Sequence, residues 1–249
     1  MSENFSEDID FGYEKIKRED KQSRVKSVFQ SVASKYDLMN DVMSGGLHRL
    51  WKREFVSQLP YRGGNVYLDV AGGTGDIATL ITKKLEQYGL SGRVIISDIN
   101  ESMLAAGQKR APDLDVEWSC GNAETLPFPH NFADVYTIAF GLRNVTDRMK
   151  ALKEAHRVLK PGGKFFCLEF SKVNPALTPF YDLYSFKFVP LMGRFVAHDE
   201  ASYRYLVESI RMFPSQEELK SMILEAGFES ARYKNLSQGI VAIHEGIKG

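Results

Sequence analysis

Short apolar runs recur along this chain, separated by stretches with helical periodicity. VYLDV (66–70), RVIISDI (93–99), VEWSC (116–120), DVYTIAF (134–140) and KFFCLEF (164–170) read as strands. Between them, residues 76–88, 101–110 and 147–159 read as helices, and Pro161-Gly162-Gly163 turns the chain into the fifth strand. Upstream, helices are expected over 20–33, with Val25, Val28, Phe29 and Val32 on one face, and over 46–59, ending before Pro60. Downstream, Ser215 and Glu218 stand in capping-box spacing ahead of a helix to Ala226, and ESARYKNL and GIVAIHEG close the chain as an antiparallel pair. Alternating strands and helices make βαβ units, hence a mostly parallel sheet covered on both faces. The expectation is one α/β domain. It comprises a polar arm (1–19, ordered on docking) and helical cap up to residue 60, a core over 61–171, and a helical lid with closing strands over 172–249.

Composition narrows the class. Lys and Arg number 32 and Asp and Glu 32, so the 249-residue chain is formally neutral and lacks the basic surplus of a nucleic-acid protein. No apolar run reaches the ~18 residues that a membrane helix needs. MSENFSEDID carries four acids and no base, which fits neither a secretory signal nor a mitochondrial presequence and predicts a cytoplasmic chain. Cys120 and Cys167 lie in strand-like runs and read as two buried thiols, and no ligand spacing predicts a metal.

Ligands of such sheets bind outside the carboxyl ends of the strands. There, Asp69 leads into Ala71-Gly72-Gly73-Thr74-Gly75-Asp76, a glycine turn that lets a backbone approach a ligand and exposes amides at a helix N-terminus. Taken alone it also satisfies a dinucleotide pattern, from Gly73 to Ala78. Asp69 and Asp76 make pyrophosphate an unattractive guest and suit an ammonium or sulfonium better. Asp98 ends the second strand, where an acid can accept both hydroxyls of a ribose. Gly121-Asn122-Ala123-Glu124 follows the third strand, where an adenine amino group could be read.

In this order and spacing, glycine turn, ribose acid and adenine turn resemble the class I S-adenosylmethionine-dependent methyltransferases, with their Rossmann-like, seven-stranded sheet. Tyr36 to Trp51 (YDLMNDVMSGGLHRLW) and Arg157 to Ser171 are similar to the two signatures of the C-methyltransferases of ubiquinone and menaquinone biosynthesis. Phe140-Gly141-Leu142-Arg143-Asn144-Val145-Thr146 and the tail GIVAIHEG add to this, so the resemblance runs from about residue 11 to the end. It implies methyl transfer from S-adenosylmethionine to a ring carbon of a polyprenylated benzoquinol, a demethylmenaquinol, or both. It implies cofactor contacts from Thr74, Asp98, Asn122 and Ala123, beside the expected Asp69, Gly73 and Gly75. Ala139 stands where some members carry a serine.

Carbon methylation of a quinol needs a ring hydroxyl to lose or share its proton. Arginine is no conventional base at neutral pH, so Arg143 is read as an electrostatic stabiliser of the phenolate that also orients a water, a structural salt bridge being the alternative. Asn144 is its hydrogen-bonding neighbour and Tyr36 a lid over the cofactor. His48 has a suitable pKa for a base, though its spacing with Trp51 serves packing equally well. Residues 176–197 hold six aromatics. Phe180, Tyr184, Phe188, Leu191, Met192 and Phe195 are expected to form the apolar lid for a prenyl tail, with peripheral contact at the inner face of the membrane. Other quinone-pathway proteins and a homodimer are partners left open. The rival readings are an O- or N-methyltransferase of small molecules, a nicotinamide-dependent dehydrogenase, and a binding module without turnover.

Overall fold

The computed structural model describes residues 8–32, 40, 41, 44–174 and 200–249. The chain opens with a hairpin, β1 (Asp8–Phe11) and β2 (Glu14–Lys17), followed by α1 (Arg18–Val32) and α2 (His48–Ser57). The βαβ units follow as β3 (Val66–Val70), α3 (Asp76–Gln87), β4 (Arg93–Asp98), α4 (Glu101–Arg110), β5 (Glu117–Cys120), β6 (Ala133–Ala139), α5 (Arg148–Val158) and β7 (Leu159–Phe170). Then come α6 (Glu200–Arg211), α7 (Gln216–Glu225), β8 (Ser230–Leu236) and β9 (Val241–Ile247).

Seven strands form one sheet in the order β5-β4-β3-β6-β7-β9-β8. The first five are parallel, and β9 and β8 add antiparallel at the β7 edge. The chain leaves β3 to one side through β4 and returns to its other side at β6, so the carboxyl ends of β3 and β6 flank a switch point where a crevice opens. Apolar side chains cover both faces. Leu152, Ala155 and Ile223 of α5 and α7 pack one face, and Phe55 and Ile81 of α2 and α3 pack the other. Side chains cap α5 and α7, the second where the sequence spacing placed it. The Asp147 carboxylate accepts from the Lys150 amide at 2.9 Å, and Ser215 with Glu218 completes the capping box of α7. This is the expected mostly parallel, Rossmann-like sheet with an N-terminal cap.

Three expectations need correction. The N-terminal arm is a β-hairpin in its second half, docked where Phe11 stacks on Tyr205 at 4.1 Å. Helix α6 went unforeseen, although Tyr203, Leu206, Val207 and Ile210 give it a buried face. Cys120 is exposed, because β5 is the edge strand, while Cys167 on the inner strand β7 is buried. On the expected apolar face of α1, Val25 and Val28 are half-buried, and the side chains of Phe29 and Val32 lie outside the described residues. Tyr36 and the six expected lid residues, Phe180, Tyr184, Phe188, Leu191, Met192 and Phe195, also lie outside them. Among the described residues no helix is long and apolar enough to cross a membrane.

Candidate active site

Two clefts meet at the carboxyl ends of β3 and β6. The larger, about 850 Å³ of open volume, runs across Gly73, Asp98, Asn100, Asn122, Ala123 and Asn144. Its outer wall is Gln22, Val25 and Lys26 of α1, so the N-terminal helix acts as a cap. The narrower, about 330 Å³, is walled by Lys52, Asp69, Gly72, Thr74 and Asp76. Ala71, Ala139 and Phe140 belong to both and form the junction.

The junction is built from two strained turns. Ala71 (φ 53°) and Phe140 (φ 56°) both sit in the left-handed region that L residues avoid. They follow neighbouring strands and touch closely enough that a Cβ on Gly141 would lie 2.5 Å from that of Ala71.

Asp69 lies within β3, fully buried between two paired strands. Its Oδ1 accepts from the Thr137 hydroxyl at 2.7 Å, while its Oδ2 has no partner among the described residues. Burial pushes this carboxyl up to about 7; the Thr137 bond opposes the rise, and the nearby Asp98 and Asp76 carboxylates add to it. Asp98 presents itself to the larger cleft with one oxygen accepting from the Gly73 amide and the other from the Asn100 amide, each at 2.8 Å. Burial raises its pKa, and those two amides hold the rise back. Each oxygen keeps a lone pair for a hydroxyl. The Asn122 carbonyl accepts from the Glu124 amide at 2.9 Å and so spends itself on its own turn, leaving its NH₂. The Glu124 carboxylate ties that turn to the amides of Thr146 (2.8 Å) and Asp147 (3.1 Å).

Several readings change here. Asp76 does not leave a bare negative field: its two oxygens meet Lys52 Nζ at 2.7 Å and Arg110 at 2.5 Å. Burial alone would raise its pKa, but the two cations hold it down to about 2. Gly75 lies outside the walls of both clefts among the described residues. A Cβ there would meet Ile96 at 2.9 Å and Trp118 at 3.1 Å, so its glycine serves packing of the turn on the sheet. Gly72, not singled out from the sequence, does line the narrow cleft, and a Cβ there would stand 2.7 Å from the Asp69 Oδ2 and 2.9 Å from Ile96.

Arg143 is buried, with its Nη1 donating to Glu169 Oε1 at 2.9 Å and to the Phe140 carbonyl at 2.5 Å. Its guanidinium lies 5.6 Å from the Phe170 ring centre. The salt bridge held as its alternative is therefore real, and neither cleft among the described residues counts Arg143 in its wall. Its neighbour Asn144 does line the larger cleft, its Oδ1 accepting from Tyr205 Oη at 3.2 Å. His48 is also buried away from both clefts, its Nε2 2.9 Å from Asp41. Burial lowers its pKa, with the Asp41 contact opposing. Asn100 was missed from sequence although it stands two residues past Asp98. It caps α4 with its carbonyl and leaves a buried NH₂ unpartnered beside the larger cleft.

The donors and acceptors fit S-adenosylmethionine. Asp98 and the Asn122–Ala123 turn suit a ribose and an adenine, and the orphaned carboxylate oxygen of Asp69 suits a positively charged group.

Comparison with known proteins agrees with this geometry. A protein from Hydrogenovibrio crunogenus named ubiquinone/menaquinone biosynthesis C-methyltransferase UbiE is 54% identical over 245 residues, covering 96% of this chain and 95% of its own. A Rickettsia bellii protein of the same name is 55% identical (96% and 98% covered), and one from a Marinomonas species is 51% identical over the whole of both chains. Among solved structures, a SAM-dependent methyltransferase from Aquifex aeolicus superposes with a TM-score of 0.61 at 18% identity, covering 88% of this chain and 98% of that one. Phosphoethanolamine N-methyltransferase 2 of Haemonchus contortus, solved with S-adenosyl-L-methionine, gives 0.55 at 15% identity, covering 79% and 52%. These two likenesses speak for the fold alone. A sequence model of the ubiE/COQ5 methyltransferase family matches residues 17–248, nearly the full length, and the chain belongs to that family.

Proposed function

We propose that this chain, working as one domain, is an S-adenosylmethionine-dependent C-methyltransferase. Its substrate in this reading is the ring of a reduced, polyprenylated quinone: a methoxy-polyprenyl benzoquinol, a demethylmenaquinol, or both. The observation that carries the reading is the fully buried Asp69, with one oxygen unpartnered among the described residues, in the wall of the narrow cleft that joins the larger one at Ala71, Ala139 and Phe140. Full-length similarity to proteins named for quinone C-methylation supports the choice of substrate.

The cofactor supplies a methyl group on a positively charged sulfur, open to attack by an electron-rich carbon. The protein's part is to hold the quinol, favour phenolate character and keep the two reactants aligned. Asn144 is the wall residue suited to a ring hydroxyl, with its orientation fixed by Tyr205. Arg143 is a positioning residue in this reading. Its ion pair with Glu169 pins the Phe140 carbonyl and so the strained turn that presents Asn144, while its charge, partly offset by Glu169, favours negative charge nearby. His48, tied to Asp41 and outside both clefts, is assigned to holding the start of α2 rather than to proton transfer. The apolar segment with Phe180, Tyr184 and Phe188 would receive the prenyl tail where the chain meets the membrane surface.

The test is transfer of labelled methyl to a short-chain prenylated benzoquinol and to a demethylmenaquinol, both kept reduced, with the product position assigned by mass spectrometry and NMR. Label on a ring carbon is expected. Label on oxygen would replace the reading with O-methylation, and no transfer despite cofactor binding would remove the quinol.

A further inference from the structure

Among the described residues the hairpin β1–β2 pairs with no other strand, and two strands of four residues are marginal on their own. Docking on α6 holds it. The Phe11 ring stacks on Tyr205 at 4.1 Å with the planes 22° apart, and the Arg24 guanidinium lies 5.6 Å from the centre of the same Phe11 ring. Beside it the Tyr13 amide donates to Glu208 Oε2 at 3.1 Å. Gly12 permits that approach: its φ is 61°, and a Cβ there would stand 2.3 Å from Glu208 Oε2. Helix α1 continues from β2 without a break, so hairpin and helix form one piece. Lys21 is buried beneath that piece, and Arg18 reaches Asp147 at 2.5 Å, which seats it on the start of α5. One turn further on, Gln22, Val25 and Lys26 close the outer side of the larger cleft.

The tyrosine that receives Phe11 is the one that holds Asn144, its buried hydroxyl donating to Asn144 Oδ1 at 3.2 Å. On the other side Asn144 Nδ2 reaches the Phe140 carbonyl at 3.4 Å, a long bond that leaves the aim of the amide to Tyr205. A single piece of chain therefore walls the larger cleft with α1 and clamps the tyrosine behind Asn144 with Phe11. We infer that Phe11 is a positioning residue for methyl transfer: acting through Tyr205, it sets Asn144 only while α1 lies over the larger cleft, so the acceptor's side of the site is completed after the cofactor has bound. The inference rests on Asn144 facing the quinol, as proposed above, and adds an order of events, cofactor first and acceptor second. Exchange of the spent cofactor lifts the piece and frees Tyr205 with it. A hairpin that merely sheltered the cofactor would act on cofactor affinity and leave turnover at saturation untouched.

The experiment is steady-state methyl transfer by the full chain to a short-chain prenylated benzoquinol, with S-adenosylhomocysteine affinity measured by calorimetry. Phe11→Ala is expected to lower kcat roughly three- to tenfold even at saturating cofactor, the scale of one aromatic pair, and to weaken S-adenosylhomocysteine by a similar factor. Phe11→Trp should restore most of both. Gly12→Val, which drives the turn off Glu208 and leaves the ring itself intact, should reproduce the fall in kcat by a second route. In an Asn144→Ala background the effect of Phe11→Ala on kcat should vanish while its effect on affinity persists, because its route to the acceptor is gone. An unchanged kcat at saturating cofactor in Phe11→Ala overturns the inference and leaves the hairpin a shelter. A fall in kcat of the same size with and without the Asn144 side chain overturns the route through Tyr205. If the parent methylates no quinol, the acceptor reading falls and takes this one with it; if the parent does so and the variants keep its kcat, this one falls alone.

Discussion

Two buried carboxylates stand on strands of the same sheet, Asp69 on β3 and Glu169 on β7, and the fold treats them in opposite ways. Glu169, 1% exposed, is closed: it accepts from the Arg143 guanidinium at 2.9 Å, the Phe170 amide at 2.9 Å and the Arg143 amide at 3.3 Å. Asp69, with no exposure at all, is open: one oxygen has the Thr137 hydroxyl and the other has no partner among the described residues. A buried acid with a cation beside it and a donor on each oxygen belongs to the architecture, whereas one with an oxygen left bare keeps a place for a ligand. The difference separates what holds the β6–α5 turn in shape from what meets the cofactor.

The sharpest way to break this contrast is to remove the partner of the closed acid. Arg143→Met leaves Glu169 buried without its cation, which by precedent costs about 3–5 kcal/mol and should appear in urea unfolding. Turnover should fall at least ~100-fold as the Phe140 turn relaxes, and Arg143→Met with Glu169→Met should regain much of the stability but not the rate. Unchanged stability with lost turnover would make Arg143 a group that acts directly on the substrate. For the open acid the expected signs reverse. The Asp69 carboxyl stands at about 7 in the folded chain against 3.8 unfolded, so the folded state holds a proton that the unfolded state releases between those values. Stability is therefore lost as pH rises from about 4 to about 7, by at most on the order of 4 kcal/mol. Asp69→Asn should remove that slope and match or exceed the parent's stability at pH 8. It should still weaken S-adenosylhomocysteine about 100-fold, by calorimetry. Affinity in the parent should rise with pH to a plateau above 7, because the ionised form is the one that meets an ammonium.

Much of this contrast could be read from the chain, and its limits follow from what periodicity encodes. Strands β3, β4, β6 and β7 were legible because each is a short apolar run between helices, which placed Asp69, Asp98 and Asn122 in the right region. Helix α4 and the capping of α7 emerged from local chemistry alone. Pairing across the fold was not legible. Nothing local says that Asp76 belongs to Lys52, 24 residues away, and to Arg110, 34 away, so the acidic field inferred from Asp69 and Asp76 counted one charge too many. Arg143 looked like a free cation because Glu169, 26 residues on, lies on a different strand. Gly72 and Gly75 are indistinguishable in a glycine-rich turn until the neighbours of each are known. Helix α6 was missed because the aromatic run before it drew the reading to residues 176–197, although its own apolar spacing was present.

The two glycines turn the contrast into a test of neighbouring positions with different outcomes. Gly75→Ala would force a Cβ to within 2.9 Å of Ile96 at a φ of 86°, so thermal unfolding should show a loss of about 1–3 kcal/mol with the remaining fold still binding S-adenosylhomocysteine. Gly72→Ala also meets Ile96 at 2.9 Å and should cost similar stability, but its Cβ stands 2.7 Å from the open oxygen of Asp69, so affinity should drop roughly tenfold as well. The same loss of affinity at both positions would dissolve the distinction between packing glycine and ligand glycine.

The smallest expected effect is at Tyr205, whose hydroxyl donates to Asn144 Oδ1 at 3.2 Å while its ring stacks on Phe11 of the hairpin. Tyr205→Phe keeps the stack and deletes one neutral hydrogen bond, worth about 1 kcal/mol. If Asn144 holds the quinol from the closed side of the site, its loosened amide should cost a fewfold in kcat and leave affinity for S-adenosylhomocysteine where it was. Tyr205→Leu, which also removes the stack, should add instability of the hairpin without a further drop in kcat for the folded fraction. A fall in cofactor affinity from Tyr205→Phe would instead place Asn144 with the open acid, and the border between the two regions would have to be redrawn at the Phe140–Asn144 turn.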